Sequence, residues 1–158
     1  MTLYTVEGNL LGIKTGVICH QVNCQGVMGS GIALQIKTRW PDVFETYSNH
    51  VRRAQPQAFR TYVRPGRSVL GELDLVRVED GLYVANIYGQ DGYGQDGRRY
   101  TNYGAVARSF AKLSTMLSGV EEVYVPYNMG CDRGGGDWTI YSEIIEAFIP
   151  TAVAVKLP

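Results

Sequence analysis

Hydrophobic and polar positions along the chain switch between two periods. "TLYTVEG" (residues 2–8) alternates and predicts a strand, and "GVICHQV" (16–22) is a second, more continuously apolar strand that runs up to a glycine cluster. Ile32, Ile36 and Trp40 then recur at fourfold spacing, which predicts a helix with Ser30 as N-cap; Pro41 stops it and opens another helix, "PDVFETYSNHVRRA" (41–54). "ELDLVRVEDGLYVANIYG" reads as two alternating strands joined at Asp80-Gly81, a hairpin. From Tyr103, the residues Val106, Phe110, Leu113 and Leu117 form one apolar helix face that ends at Gly119. "EEVYVPYNMG" is a strand leading into "CDRGGGDW"; Trp138, Tyr141, Ile145 and Phe148 then share a helix face with Asp137 as N-cap, and "TAVAVKLP" closes as a strand. Strands alternating with helices, plus one hairpin, predict an α/β fold with a mixed sheet covered on both faces.

Composition adds limits rather than chemistry. At 158 residues and 45% hydrophobic, the chain suits one continuous domain, residues 1–158, with a full core. Fifteen Lys+Arg balance fifteen Asp+Glu, so any anionic ligand must be held locally rather than by a global field. No basic leader and no bilayer-length apolar run is evident, and Cys19, Cys24 and Cys131 lack paired metal-ligand spacing. The expectation is a soluble, cytoplasmic protein without membrane contact, disulfide framework or metal.

The chemistry concentrates at two glycine-rich loops, "GVMGSG" (26–31) and "GCDRGGGDW" (130–138), each following a strand and opening a helix. Glycine lets backbone N–H groups approach a phosphate, and a helix N-terminus adds partial positive charge. Two such loops suit a pyrophosphate at the carboxyl ends of sheet strands. Neither carries the Gly-Lys-Ser/Thr of a nucleotide-triphosphate loop, nor the glycine spacing of a dinucleotide fingerprint.

"GNLL", "VICHQVNCQGVMGSGIALQI", "VANIYGQDGYG" and "YVPYNMGCDRGGGDW", in this order over nearly the whole chain, resemble a macrodomain. More narrowly they resemble the branch of terminal ADP-ribose glycohydrolases and their bacterial or phage relatives. The resemblance implies a three-layer α/β/α fold with a cleft for ADP-ribose or a derivative, and no organic cofactor. It places Gly8, Asn9 and Leu10 at the adenine, with Asn9 standing where the family usually has aspartate. It places Asn23 at the distal ribose, and Gly29, Ser30, Gly31 and Ile32 at the first phosphate loop. Gly130, Cys131, Asp132, Arg133, Gly134, Gly135 and Gly136 match the second loop.

The same branch implies an attacking lysine and an assisting aspartate in the second loop. No lysine occurs from Ala85 to Val106, and Gly134 stands at the aspartate position. A catalytic reading instead makes Asp132 a general base or an orienter of water, with Asn23 holding the ribose. The plainer reading leaves Asp132 in solvent and Asp137 as a helix cap. His20 is the histidine placed for proton transfer on the sequence, although a strand-end histidine also serves as a structural hydrogen-bonding group. Cys24 offers a nucleophile or a small buried filler. "QDGYGQDGRRYTNY" reads either as a solvated loop or as part of the site, in which case Gln90 and Asp91 serve the distal ribose or leaving group, Arg98 and Arg99 an anionic substituent such as a terminal phosphate, and Tyr103 helps to cover the ligand.

These residues lead to three functional readings. One is a hydrolase of ADP-ribose 1″-phosphate, O-acetyl-ADP-ribose or ADP-ribosylated protein or nucleic acid. The second is a non-catalytic ADP-ribose reader, and the third an unrelated nucleotide-binding α/β domain.

Overall fold

The computed structural model describes residues 3–61, 69–119 and 121–158, with the backbone alone for 55–61. Thr2 of the first predicted strand lies outside the described residues. In chain order the elements are β1 (Tyr4–Glu7), a 3-10 turn (Leu10–Gly12), β2 (Gly16–Val22), α1 (Gly31–Arg39), α2 (Pro41–Thr61), β3 (Leu73–Glu79), β4 (Leu82–Tyr88), α3 (Tyr103–Met116), β5 (Val123–Pro126), α4 (Trp138–Phe148) and β6 (Val153–Lys156).

The strands form one mixed sheet in the order β1-β6-β5-β2-β4-β3. Neighbouring strands from β1 through β4 are parallel, and β3 pairs antiparallel with β4 through the hairpin at Gly81, with a register shift between Arg77 and Glu79. The central strand β2 shows why the sheet is covered on both faces. All its residues except Gln21 are buried. Val17 and Cys19 point into a cluster with Phe110 and Leu113 of α3 and Tyr141 and Ile145 of α4. Ile18 and Val22, one residue out of phase, meet Ile36 of α1 and Val43, Tyr47 and Val51 of α2. Successive strand side chains face opposite sides, so a strand apolar at every position needs a helical layer on each. Burial of each such side chain contributes about 1.5–3 kcal/mol. The architecture is therefore the expected three-layer α/β/α.

Local expectations hold with specific exceptions. Asn102 and Asp137 cap α3 and α4 through their side chains, accepting from Ala105 N (2.9 Å) and Thr139 N (2.8 Å). Ser30 occupies the N-cap position of α1, yet its side chain makes no cap bond. On α4, Tyr141 and Ile145 are fully buried while Phe148 is 38% exposed, so the apolar face is shorter than the spacing predicts. No helix among the described residues is long and apolar enough to cross a membrane.

One buried polar chain runs beneath α2. His20 of β2 donates from Nε2 to Asn86 Oδ1 (2.6 Å), Asn86 donates to Asp74 Oδ2 (3.0 Å), and Tyr88 donates to the same oxygen (2.5 Å). His50 Nδ1 lies 2.8 Å from the other Asp74 oxygen. Asp74, buried at the edge strand, thus has hydrogen-bond partners on both oxygens.

Candidate ligand cleft

Because five neighbouring strands run parallel, their carboxyl ends open on one edge of the sheet, and the loops leaving them line a single cleft of about 1080 Å³. That exceeds the roughly 300–1,000 Å³ of most small-molecule sites and suits a dinucleotide-sized ligand. Strand order sets the order of loops along it. The β1 and β6 ends (Gly8 to Leu10, Val155 to Leu157) form one end, the two glycine loops after β5 and β2 lie in the middle, and the loop after β4 forms the other end.

The two ends differ in chemistry. The first is walled by Leu10, Val155, Leu157 and Tyr127, and its polar side chains include Asn9 and Lys156, whose Nζ lies 4.9 Å from the Tyr127 ring centre. The opposite end carries Gln21, Asn23, Gln90, Tyr93 and Gln95. An apolar slot with an aromatic wall suits a flat base, and an amide-rich end suits a sugar.

In the first glycine loop, Gly26 (φ 84) and Gly31 (φ 59) take left-handed backbone, whereas Gly29 does not. A Cβ built on Gly31 would meet nothing within 4 Å, so the residue is glycine for backbone shape at the mouth of α1, not for crowding. The loop is anchored from α2. Tyr47 Oη accepts from Gly26 N and Val27 N, both at 3.0 Å, and gives its proton to Asn23, lying 2.6 Å from Oδ1 and 2.8 Å from the carbonyl oxygen. Asn23 itself accepts from Gln25 N (2.9 Å) and donates to Val27 O (2.9 Å). Its carboxamide therefore shapes the loop as well as lining the cleft.

The second loop is held by a network around Gln21. Gln21 Nε2 donates to Gln90 Oε1 (2.7 Å) and Thr101 Oγ1 (2.9 Å), while its Oε1 accepts from Tyr141 Oη (2.7 Å). Thr101 in turn donates to Gly130 O (2.7 Å). Gly134 carries its carbonyl to Tyr100 N (2.8 Å) and Thr101 N (2.9 Å). A Cβ on Gly134 would lie 2.5 Å from Gly130 O and 2.6 Å from Thr101 Oγ1, so no side chain fits there. That explains physically why an acid is missing at this position.

Of the residues singled out from the sequence, Gly8, Asn9, Leu10, Asn23, Gly29, Ser30, Gly31, Ile32, Gln90, Gly130, Asp132, Arg133 and Gly134 line the cleft together. Cys131, Gly135 and Gly136 do not; they support the loop from behind, with Gly136 N bonded to Gly130 O (2.9 Å). His20 also lies off the cleft. It is fully buried, its pKa is lowered to about 4, chiefly by burial, and its Nδ1 has no partner among the described residues. It belongs to the chain under α2, so it is badly placed to move a proton at the ligand. Burial and the nearby Asp91 push the Cys24 thiol up to about 12, which leaves it an unreactive filler. Arg98, Arg99 and Tyr103 stay outside: Arg98 pairs with Asp96 (3.0 Å), Arg99 stacks on Tyr103, and Tyr103 accepts from Asp137 N (2.9 Å). From that loop Tyr93, Gly94 and Gln95 reach the cleft instead. Asp91 accepts from Gln25 Nε2 (2.9 Å), tying the β2 and β4 loops together. Asp132 is exposed on the cleft, while Asp137 caps α4.

Tyr47, Gln21, Thr101 and Tyr127 escaped sequence reasoning. Tyr47 on α2 and Thr101 before α3 lie outside both glycine motifs, whereas Gln21, two residues before Asn23 and the one half-buried position of β2, and Tyr127, three residues before Gly130, lay within reach of a local signal.

No protein-family model matches the sequence. The DNA ADP-ribosyl glycohydrolase of Mycobacterium tuberculosis is 27% identical over 156 residues, 96% of this chain and 41% of that protein. The solved macrodomain of Mycobacterium tuberculosis DarG is 26% identical and superposes with a TM-score of 0.68 over 100% of this chain and 97% of that one. The chain has the macrodomain fold. Thermosipho africanus DarTG in complex with ADP-ribose shares that fold at 19% identity, with a TM-score of 0.68 over 98% of this chain and 41% of that one. The chain spans about two fifths of the length of the first curated relatives it matches, 41%, 41% and 38%.

Proposed function

We propose that this macrodomain binds ADP-ribose modified at the distal ribose and hydrolyses the 1″-linked group. The observation that carries the reading is the order of chemistry along one cleft: an apolar slot, two adjacent glycine loops with a helix N-terminus at the first, and an amide-rich end. A base, a pyrophosphate and a sugar need those environments in that order. The names of the relatives, a DNA ADP-ribosyl glycohydrolase and a protein solved with ADP-ribose, support it. The candidate leaving groups are phosphate, acetate and the protein or nucleic acid of an ADP-ribosyl conjugate.

In this mechanism the α1 N-terminus and the loop amides neutralise the pyrophosphate, and Asn23 and Gln90 hold the distal ribose. Asp132 takes a proton from the water whose oxygen bonds to the 1″ centre, the bond to the departing group breaks, and the same proton passes from Asp132 to that group, which restores the carboxylate. An attacking lysine has no place in it: among the described residues lining the cleft the lysine is Lys156, at the base end. The test is release of ADP-ribose from 1″-phosphate, O-acetyl and DNA-linked substrates. Asp132→Asn is expected to lower turnover by about 10²–10⁴-fold, as loss of a general base does, with binding retained.

A second reading, a non-catalytic reader, draws on the crowding at Gly134, which bars an acid from that place. Tight ADP-ribose binding without turnover of any of the three substrates favours the reader.

A further inference from the structure

We infer that Arg133 makes the cleft prefer ligands that carry a phosphate on the 1″ position of the distal ribose over those that carry an uncharged 1″ ester. This builds on the reading of the cleft as an ADP-ribose site and narrows the substituent at its amide-rich end.

Gly135 N donates to Asp132 O (3.2 Å), closing a turn that sets Arg133 and Gly134 at its corner. That corner is pinned to the amide-rich end. Gly134 O accepts from Tyr100 N (2.8 Å) and Thr101 N (2.9 Å), and Thr101 Oγ1 accepts from Gln21 Nε2 (2.9 Å), which also donates to Gln90 Oε1 (2.7 Å). Arg133 therefore stands one residue along the backbone from the network that holds Gln90. Its side chain is exposed, lines the cleft, and makes no hydrogen bond or ion pair among the described residues. Neighbouring cations are engaged elsewhere. Arg98 pairs with Asp96 and Arg99 lies over Tyr103, both outside the cleft, while Lys156 lies over Tyr127 at the base end. The anion-covering role that the sequence suggested for Arg98 and Arg99 thus falls to Arg133.

Asp132, on the same turn, is the acidic side chain among the described residues lining the cleft. A carboxylate there repels a phosphate brought to the distal ribose but does not repel an acetyl group. The adjacent guanidinium offsets that repulsion, because its planar fork donates two parallel hydrogen bonds to phosphate oxygens. An uncharged ester offers only a neutral carbonyl acceptor, and bonds to an ionised acceptor are roughly twice as strong. A nucleic acid strand needs several cations in a row to neutralise its backbone, and the cleft presents one at this end.

The test is calorimetric titration with ADP-ribose and with ADP-ribose 1″-phosphate, with and without Arg133→Gln, in an Asp132→Asn background so that the 1″-phosphate is not consumed. The affinity ratio of 1″-phosphate to ADP-ribose is expected to fall about ten- to a hundred-fold in Arg133→Gln, the effect of losing a hydrogen-bonded charge. With Asp132 intact, Arg133→Gln is expected to lower the ratio of kcat/KM for the 1″-phosphate to that for O-acetyl-ADP-ribose by a similar factor. Equal loss of affinity for both titrated ligands, as a contact to the shared pyrophosphate produces, overturns the inference, and so does an unchanged ratio. A greater loss with a DNA-linked substrate than with the 1″-phosphate overturns it in favour of a backbone contact. Absence of turnover on every substrate removes the hydrolase reading, and the titration ratio then decides on Arg133. Failure of the wild type to bind ADP-ribose removes the cleft reading and the inference with it.

Discussion

Tyr47→Phe removes one oxygen atom from a helix that touches no ligand, and it is expected to disable the cleft. The ring of Tyr47 is fully buried against Phe44 (centroids 6.1 Å apart) and Tyr88 (5.8 Å), and phenylalanine keeps those contacts. The hydroxyl is what ties α2 to the first glycine loop. Burial raises its pKa, so it is a neutral donor and acceptor across the accessible pH range. Its loss deletes three hydrogen bonds: acceptance from Gly26 N, acceptance from Val27 N, and donation to Asn23. At about 1 kcal/mol net for each, the ordered loop is weakened by roughly 3 kcal/mol. Val27 is 39% exposed, so water replaces part of the loss, and about 1.5–3 kcal/mol is the working range. A domain stable by about 5–15 kcal/mol survives that change. The loop must now be ordered by the ligand, so ADP-ribose affinity falls by about ten-fold or more, ten-fold for each 1.4 kcal/mol. Calorimetric titration measures the affinity, and thermal melting is expected to show a drop of only several degrees. Affinity within twofold of wild type would refute the claim that the Tyr47 hydroxyl organises the loop.

Gly31→Val forces a β-branched residue to φ 59, which costs more than the roughly 1–2 kcal/mol of left-handed backbone for an ordinary residue; ADP-ribose binding is expected to vanish in titration while the circular dichroism spectrum stays that of wild type. Gly134→Ala drives a methyl group to 2.5 Å from Gly130 O and 2.6 Å from Thr101 Oγ1, so it is expected to cost about 1–3 kcal/mol in urea unfolding and to weaken binding; unchanged values in both measurements would remove the crowding argument. Folded His20 has a pKa of about 4 against an ordinary 6.5, so below pH 6.5 the unfolded chain takes up a proton that the folded chain refuses. Stability is therefore complete above about pH 6.5 and falls as pH drops toward 4, by up to about 3 kcal/mol, and His20→Gln is expected to flatten that part of the urea-midpoint profile relative to wild type.

Much of this was legible in the chain itself, because it rests on short-range rules. Alternation and fourfold spacing depend on neighbouring residues, and they marked the strands, the hairpin at Asp80-Gly81 and the helices from Gly31, Pro41, Tyr103 and Trp138. Strands alternating with helices already pointed to a sheet covered on both faces, and every residue of "GVICHQV" but Gln21 is buried between those layers. The glycine loops marked backbone that lines the cleft, since glycine eases the left-handed turn at Gly31 and leaves room for the close contacts at Gly134. Tertiary structure decided what depends on residues distant in sequence. His20 and Asn23 are three positions apart on the same strand end, yet the pleat turns His20 under α2 to meet Asn86, while Asn23 joins the cleft. Tyr47, 24 residues beyond Asn23, and Tyr141, 120 residues beyond Gln21, reach the loops only after the helices dock on the sheet. Arg98 and Arg99 carry the charge expected to cover an anion, but near neighbours hold them away, Asp96 in the loop for Arg98 and Tyr103 at the start of α3 for Arg99. The order of loops along the cleft, and with it the polarity from the Asn9 end to the Gln90 end, follows from strand order, because pairing between β1 and β6 or β2 and β4 leaves no mark on either segment alone.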